Sequence, residues 1–294
     1  RLHQALTALV TRHPSLRARF FSEAGQVMQH FLPEAVIDFV PIDARQWTPS
    51  QLNVYLTEEA HRSFDLSQDA LFRVRLCQQP DSTHVLLLVT HHIIADFWSL
   101  AVLAHELGML YADPKASLPP LNTSYASATE QQNTLLAGED GEKHWTYWQQ
   151  QLNNPLPILN LPTDYPRPPI QSFKGASQSI QLGHTLTEKL QSLSREQDVT
   201  LYMTLLAAFT LLLSRYSGQQ DILVGSPTYG RSRPELTYQV GYFVNPVVMR
   251  STLQAEKTFA TFLHTVRQTA LDAFDHQAYP FSLLAERLHP HRDP

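Results

Sequence analysis

Segments with helical and with strand-like spacing of apolar residues alternate along the chain, and this alternation constrains the fold most strongly. The apolar residues Leu201, Leu205, Phe209 and Leu212 are spaced four, four and three apart, which predicts a helix over Leu201 to Ser217. Other segments, such as His84 to Val89, have the length and apolar content of a strand. Because both kinds of segment interleave in each half of the sequence, we predict an α/β (α+β) architecture.

The same patterns give the positions of the individual elements. We predict helices at Arg1 to Val10, Ser50 to His61, Leu100 to Leu110, Thr185 to Glu196, Leu201 to Ser217, Phe259 to His276 and Ser282 to Leu288. We predict strands at Ser15 to Phe20, Gln26 to Phe31, Ala35 to Val40, Leu71 to Leu76, His84 to Val89, Ser177 to Leu182, Asp221 to Gly225 and Val244 to Met249.

A proline-rich segment between Leu156 and Pro169 divides the sequence. Proline fixes φ and removes a backbone donor, so this segment is predicted to be an extended linker. A length of 294 residues also favours two lobes. We predict an N-terminal lobe at 1–160, a connection at 161–176 and a C-terminal lobe at 177–294.

Composition excludes several classes of function. There are 22 Lys and Arg residues against 27 Asp and Glu, a net charge of −5, which does not support nucleic-acid binding. The single cysteine, Cys77, excludes an internal disulfide and a cysteine-based zinc site, so we expect no metal and a reducing, cytoplasmic location. The apolar run from Val85 to Val89 is far shorter than the roughly 20 residues of a membrane span, and we expect no membrane association.

Two adjacent histidines, His91 and His92, lie where a predicted strand meets a predicted helix. A neutral imidazole accepts and returns a proton near physiological pH, so both are candidates for acid–base chemistry. Neighbouring strand residues point to opposite faces, so only one of the two is expected to face a substrate. The alternative is one buried, hydrogen-bonded histidine and one exposed histidine. Asp96 is a candidate helix N-cap or a brace that pairs with an arginine, and the two roles are compatible.

Four segments, in this order, resemble motifs of one family: the condensation domains of nonribosomal peptide synthetases, within the chloramphenicol acetyltransferase-like superfamily. Thr90 to Ser99 is similar to its His-His-x-x-x-Asp-Gly motif. The other three are Arg12 to Phe20, Val240 to Asn245 and His276 to Phe281. The family's opening Gln-x-Arg motif is absent, and His291 to Pro294 resembles the start of a later motif, so we expect a sequence shorter than a family domain, with an incomplete second lobe.

The resemblance implies two acetyltransferase-like lobes in a V around a central channel. It implies amide bond formation between a donor acyl thioester and an acceptor amine, in nonribosomal peptide or hybrid polyketide-peptide (antibiotic or other secondary metabolite) biosynthesis. Upstream donor and downstream acceptor carrier proteins would deliver both groups on phosphopantetheine arms, so the domain binds no cofactor of its own. Adjoining synthetase domains are further expected partners.

The resemblance also assigns roles to residues. It makes His92 the catalytic residue, as general base or as the group that positions the amine. His91 would support the fold, and Asp96 would form a structural ion pair, with Arg231 as the first candidate partner and Arg17 as the second.

Phe97 stands where the family usually has glycine, and Pro246 where threonine is frequent. We expect the Phe97 side chain to turn into the core next to Trp98; the alternative is a changed choice of donor or acceptor. Trp98, Ser99, Tyr242 and Asn245 are, with Phe97, candidates to line the channel. Ser99 is a candidate oxyanion donor or helix cap, and Asn245 and Tyr242 are equally well explained as strand and turn residues. His276 and Arg12 are expected to hold the scaffold.

The same motifs argue against two other functions of the superfamily. The two histidines argue against heterocyclisation, in which both positions are aspartate, and Gly241 to Asn245 argues against epimerisation. An ester-forming or acyl-CoA-dependent acyltransferase remains an alternative. So does a catalytically silent module that docks a carrier protein or recruits another enzyme.

Overall fold

The computed structural model describes residues 1–153, 155–166, 168, 170, 175–254 and 256–288. The chain forms two compact units, the first made of Arg1–Gln131 and Arg231–Val244 and the second of Gln132–Gly230 and Asn245–Pro294. Residues 132–160 thus group with the second unit, and 231–244 return to the first. The lobe boundaries given above remain a prediction.

The first unit contains two sheets and the helices around them. Its strands are β1 (Ala18–Glu23), β2 (Gln26–Phe31), β3 (Asp38–Asp43), β4 (Phe72–Gln78) and β5 (His84–Thr90). β1 and β2 form an antiparallel pair, while β4 lies between a parallel β3 and an antiparallel β5. The helices are α1 (Leu2–Arg12), α2 (Pro49–His61), α3 (Phe97–Ala112) and α4 (Tyr125–Ala137), the last of which the unit boundary at residue 131 divides.

The core of the first unit lies between α1, α3 and β4. Leu6 and Leu9 from α1 and Leu103 from α3 are almost fully buried, as the helical spacing of these leucines requires. They pack with Phe72 of β4 and Ile94, which follows β5. Burial of such side chains contributes about 1.5–3 kcal/mol each. The segment between β5 and α3 is therefore anchored on a packed core.

The second unit is built from helices around one antiparallel pair of strands. Its helices are α5 (Glu139–Gln151), α6 (His184–Glu196), α7 (Leu201–Ser217), α8 (Phe259–Asp275) and α9 (Phe281–Leu288), and its strands are β6 (Asp221–Thr228) and β7 (Asn245–Thr252). Its core includes Trp148, Met249 and Leu263. Thr200 and Thr258 cap α7 and α8, and Gly218 ends α7 with a φ of 71°.

The α+β architecture and most predicted elements are confirmed, and two segments are corrected. Ser177–Leu182 is irregular, with Ile180 83% exposed, so the predicted strand there is wrong. Alternating polarity makes a strand only where a neighbouring strand completes the hydrogen bonds. Pro14–Arg17 is a short 3-10 helix, so β1 begins later than predicted. The motif at 291–294 and parts of the connection at 161–176 lie outside the described residues.

Among the described residues, no single helix combines the length and apolar character of a membrane span. The bent pair α6 and α7, which meet at 103°, reaches that length and composition only when taken together.

Candidate active site

The two histidines lie in a turn between β5 and α3. The N–H of His91 donates to the Leu71 carbonyl at 3.0 Å and so continues the strand ladder by one residue. The N–H of Ile94 then donates to the His91 carbonyl at 3.1 Å, which closes the turn. His92 therefore follows the strand end on an exposed turn, and the predicted position at a strand-to-helix junction is confirmed.

A main-chain hydrogen bond fixes the orientation and tautomer of His92. Its Nδ1 lies 2.8 Å from the Ala95 carbonyl oxygen. A carbonyl only accepts, so Nδ1 carries a proton, and in the neutral ring Nε2 keeps its lone pair. The residue is exposed, and its ring meets the Tyr242 ring nearly at right angles, at 5.0 Å between centroids. In the neutral ring, this arrangement presents Nε2 as a hydrogen-bond acceptor at the protein surface.

His91 adopts the opposite arrangement. Its Nδ1 accepts the N–H of Ile93 at 3.1 Å, so a neutral ring carries its proton on Nε2. Its ring packs edge-on against Phe64 at 6.0 Å, and the buried Arg73 guanidinium covers Phe64 at 4.1 Å. Burial, helped by the neighbouring His92, lowers the pKa of His91. These contacts support the predicted structural role of His91.

Asp96 is both a helix cap and half of a buried ion pair. Its Oδ1 accepts the N–H of Ser99 at 2.8 Å and so caps α3. Arg231 donates from Nη1 to Oδ2 at 2.6 Å and from Nη2 to Oδ1 at 2.9 Å, and both side chains are 0% exposed. The ion pair expected with Arg231 is present. Arg17 donates instead to the carbonyls of Val10, Leu32 and Pro33, so the second candidate partner is wrong.

Burial and hydrogen bonding act in opposite directions on the Asp96 carboxyl. Burial by itself raises its pKa, but the bonds from Arg231 and Ser99 outweigh that effect and lower the pKa below the ordinary 3.8. The carboxyl is therefore ionised at neutral pH. A buried, fully bonded carboxylate cannot take the proton of a substrate, so its role is structural.

The segment Val240–Phe243 is bonded directly to this ion pair. The Gly241 carbonyl accepts the Asp96 N–H at 3.2 Å, and the Gly241 N–H donates to Ser99 Oγ at 3.1 Å. The Phe243 N–H donates to Asp96 Oδ2 at 3.1 Å. A Cβ at Gly241 would overlap the Tyr125 ring, which is why glycine occupies this position.

Two of the candidate channel residues are corrected by their burial. Phe97 is 84% exposed, so the expectation that it turns into the core is wrong. It is the first residue of α3 and directly follows Asp96, the buried N-cap. Its helical backbone also needs none of the freedom of glycine. Ser99 is fully buried, and its hydroxyl is engaged with Asp96, Gly241 and Arg231, so it cannot line a channel. The cap of α3 is Asp96, so the expectation that Ser99 caps the helix is wrong.

The remaining candidates divide between the units. Trp98 is half-exposed and donates from its indole to the Thr237 carbonyl at 2.8 Å. Tyr242 is 39% exposed beside His92. Asn245 lies in the second unit, where its amide donates to the carbonyls of Gln277 and Tyr279, each at 2.8 Å. Its side chain thus fastens β7 to the segment before α9, the structural alternative given above.

Sequence reasoning missed two partners of the scaffold residues. Glu106 is fully buried on α3 and receives bonds from Arg12 at 3.0 Å and His13 at 2.7 Å. Glu106 lies between Leu103 and Leu107 on an apolar helix, and this placement could have indicated a buried carboxylate that needs a partner. His144 contacts His276 with 2.9 Å between their Nδ1 atoms, and no sequence pattern relates these two positions.

The described part of the chain brings no three His, Cys, Asp or Glu side chains together as a metal site. Its one thiol, Cys77, is buried, and burial raises its pKa. The chemistry that this site offers is therefore proton acceptance at His92 Nε2, on a turn held by a buried ion pair.

The family model described as Condensation domain matches residues 1–294. Tyrocidine synthase 3 from Brevibacillus parabrevis is 39% identical over 293 residues, covering 100% of this chain and 4% of that protein. Gramicidin S synthase 2 from Brevibacillus brevis is 40% identical over 293 residues, covering 100% of this chain and 6% of that protein.

A solved structure also matches. The X-domain from teicoplanin biosynthesis has a TM-score of 0.90 and 26% identity, covering 99% of this chain and 66% of that chain. In its complex with OxyB, the X-domain has a TM-score of 0.88 and the same identity, and 65% of that chain is covered. The chain thus spans a small part of the length of the curated relatives and about two thirds of these solved chains.

Proposed function

Because the chain belongs to the condensation-domain family of nonribosomal peptide synthetases, we propose that it joins a donor acyl thioester to an acceptor amine. Both substrates are carried on the phosphopantetheine arms of carrier proteins, one upstream and one downstream, and the product is a nonribosomal peptide or a hybrid polyketide-peptide. Adjoining synthetase domains are further proposed partners, and the cytoplasm is the proposed location.

The observation that carries this proposal is the tautomer of His92. The bond from Nδ1 to the Ala95 carbonyl leaves Nε2 as an acceptor on an exposed ring. The amine nitrogen attacks the thioester carbonyl carbon, a C–N bond forms and the C–S bond breaks. His92 Nε2 accepts the proton that the amine loses, and the departing sulfur recovers it as a thiol. As a general base or as a positioning group, His92 needs the same free lone pair.

The rest of the site preserves this geometry without touching the substrate. Asp96 and Arg231 hold the start of α3 and the Gly241 backbone. His91 closes the turn by accepting from Ile93. Removal of these groups is expected to affect folding first and chemistry second.

The test supplies the purified protein with two loaded carriers and follows the condensed product by mass spectrometry. General acid–base catalysis contributes about 10²–10⁴-fold, so His92→Ala is expected to lose that factor in kcat. His105→Ala changes an exposed histidine of α3 and is the matched control, expected to retain full turnover. Equal turnover by wild type and His92→Ala would remove the catalytic role of His92.

The same assay separates the related transferases. Replacement of the donor carrier by a CoA thioester tests for acyl-CoA dependence, and an alcohol acceptor tests for ester formation. Turnover with a carrier-bound donor and an amine, and none with these two substitutes, supports the proposed reaction.

A second candidate is a silent recruitment module. The exposed Phe97 side chain next to Asp96 favours it, as does the likeness to an X-domain whose structure contains OxyB. Absence of turnover with every donor, together with measurable binding of a carrier or of another enzyme, would support this function in place of condensation.

A further inference from the structure

The Tyr242 side chain packs its ring against the imidazole of His92. The two rings meet at 80° with 5.0 Å between centroids, the edge-to-face geometry that aromatic pairs favour. Both residues are exposed at the surface, so the contact covers part of an otherwise hydrated imidazole.

The backbone on both sides of Tyr242 is fixed by the group that caps the helix after His92. Asp96 receives the N–H of Phe243 at 3.1 Å, and its own N–H donates to the Gly241 carbonyl at 3.2 Å. The Tyr242 carbonyl accepts the Tyr125 hydroxyl at 3.0 Å. Asp96 thus fixes the backbone near both His92 and Tyr242, although the two residues lie far apart in the sequence.

The residue that follows Tyr242 is held in place by packing. The Phe243 ring lies under the Arg231 guanidinium at 4.4 Å and meets the Tyr125 ring at 5.2 Å. The Phe243 ring is thus held on the side of Arg231 and Tyr125, while the Tyr242 ring lies against His92. Gly241 allows this segment to lie against Tyr125.

We propose that Tyr242 is a positioning residue for His92, because the edge-to-face contact of its ring holds the imidazole in the orientation that keeps Nδ1 on the Ala95 carbonyl and Nε2 free. This inference rests on the proposed function for its kinetic consequence, but its structural consequence is independent of it. Without the ring, the exposed imidazole rotates and samples both tautomers. The hydroxyl of Tyr242 has no part in the proposal.

The test compares Tyr242→Ala with Tyr242→Phe in the protein labelled with ¹⁵N-histidine, with the His92 signals identified from His92→Ala. The ring nitrogen shifts report which nitrogen carries the proton. We expect wild type and Tyr242→Phe to show the Nδ1–H tautomer and Tyr242→Ala to show a mixture. Tyr238→Ala removes another exposed tyrosine, four residues before Tyr242, and its His92 spectrum is expected to match that of wild type.

Kinetics with two loaded carriers provide the second readout. An edge-to-face pair is worth about 0.5–1.5 kcal/mol, so Tyr242→Ala is expected to lower kcat about 2- to 12-fold, with KM for the carriers unchanged and full rescue by Tyr242→Phe. A wild-type His92 spectrum in Tyr242→Ala overturns the proposal, as does a loss in Tyr242→Phe equal to that in Tyr242→Ala. A tautomer change in a protein whose wild type has no turnover supports the positioning role and contradicts the proposed reaction.

Discussion

Removal of the Arg231 charge should damage folding rather than the chemistry of the base. Arg231→Met keeps much of the side-chain volume but deletes the bonds from Nη1 at 2.6 Å and Nη2 at 2.9 Å to Asp96. Each charge-assisted bond contributes about 1.5–3 kcal/mol. Asp96 is 0% exposed and keeps its bonds from Ser99 and Phe243, so water cannot replace the arginine. We expect the free energy of unfolding to fall by about 3–5 kcal/mol.

The assay is urea unfolding followed by tryptophan fluorescence, with the slope m compared between variants. Arg233→Met is the matched control in the same segment, because its ion pair with Glu235 spans 3.4 Å and both side chains are more than one-third exposed. An exposed pair of this kind contributes at most about 1 kcal/mol. The double variant Arg231→Met/Asp96→Asn should lose less free energy of unfolding than the two single variants lose in sum, because it leaves no unpaired charge.

Two results would refute this reasoning. One is a loss in Arg231→Met no larger than that in Arg233→Met. The other is a normally stable Arg231→Met protein whose turnover falls as far as that of His92→Ala, which would give the arginine a direct part in the chemistry.

Three further changes test other parts of the structure. Gly241→Ala places a Cβ against the Tyr125 ring and should cost about 1–3 kcal/mol in urea unfolding, whereas a neutral effect would contradict the close packing. Phe97→Gly should cost less than about 1 kcal/mol in the same experiment, because the side chain is 84% exposed; a loss of about 3 kcal/mol or more would place it in the core. Burial lowers the pKa of His144 and of His276 below the ordinary 6.5, so the unfolded chain binds protons more readily and stability declines as pH falls below about 6.5. His276→Asn should reduce the drop in urea midpoint between about pH 7.5 and about pH 5.5, and an unchanged drop would remove this pair as a cause.

The sequence predicts the elements well where local spacing decides them. The apolar spacing of α7 predicts boundaries that agree with the structure, but the buried face includes Met203, Leu206 and Ala207, whereas Leu205 and Leu212 are exposed. Ser177–Leu182 has strand-like alternation but forms no strand, because a strand also needs a hydrogen-bonded neighbour that local sequence does not specify.

Site residues that belong to a family motif could be predicted from the sequence. Contacts that depend only on three-dimensional geometry could not. The pairing of Asp96 with Arg231 joins positions 135 residues apart, and only the resemblance pointed to it. The bond from His92 to Ala95 uses a main-chain carbonyl, which leaves no signature in the residue type. Phe97 is the first residue of α3 and 84% exposed, and its apolar residue type does not indicate that direction.

The most direct measurement is the single-turnover rate of amide formation from two loaded carriers, compared between wild type and His92→Ala at equal folded concentration. With Nε2 of His92 as the proton acceptor, the rate should fall by about 10²–10⁴-fold while both carriers still bind. A rate within a few-fold of wild type would contradict the account, because the exposed imidazole would then take no part in the reaction.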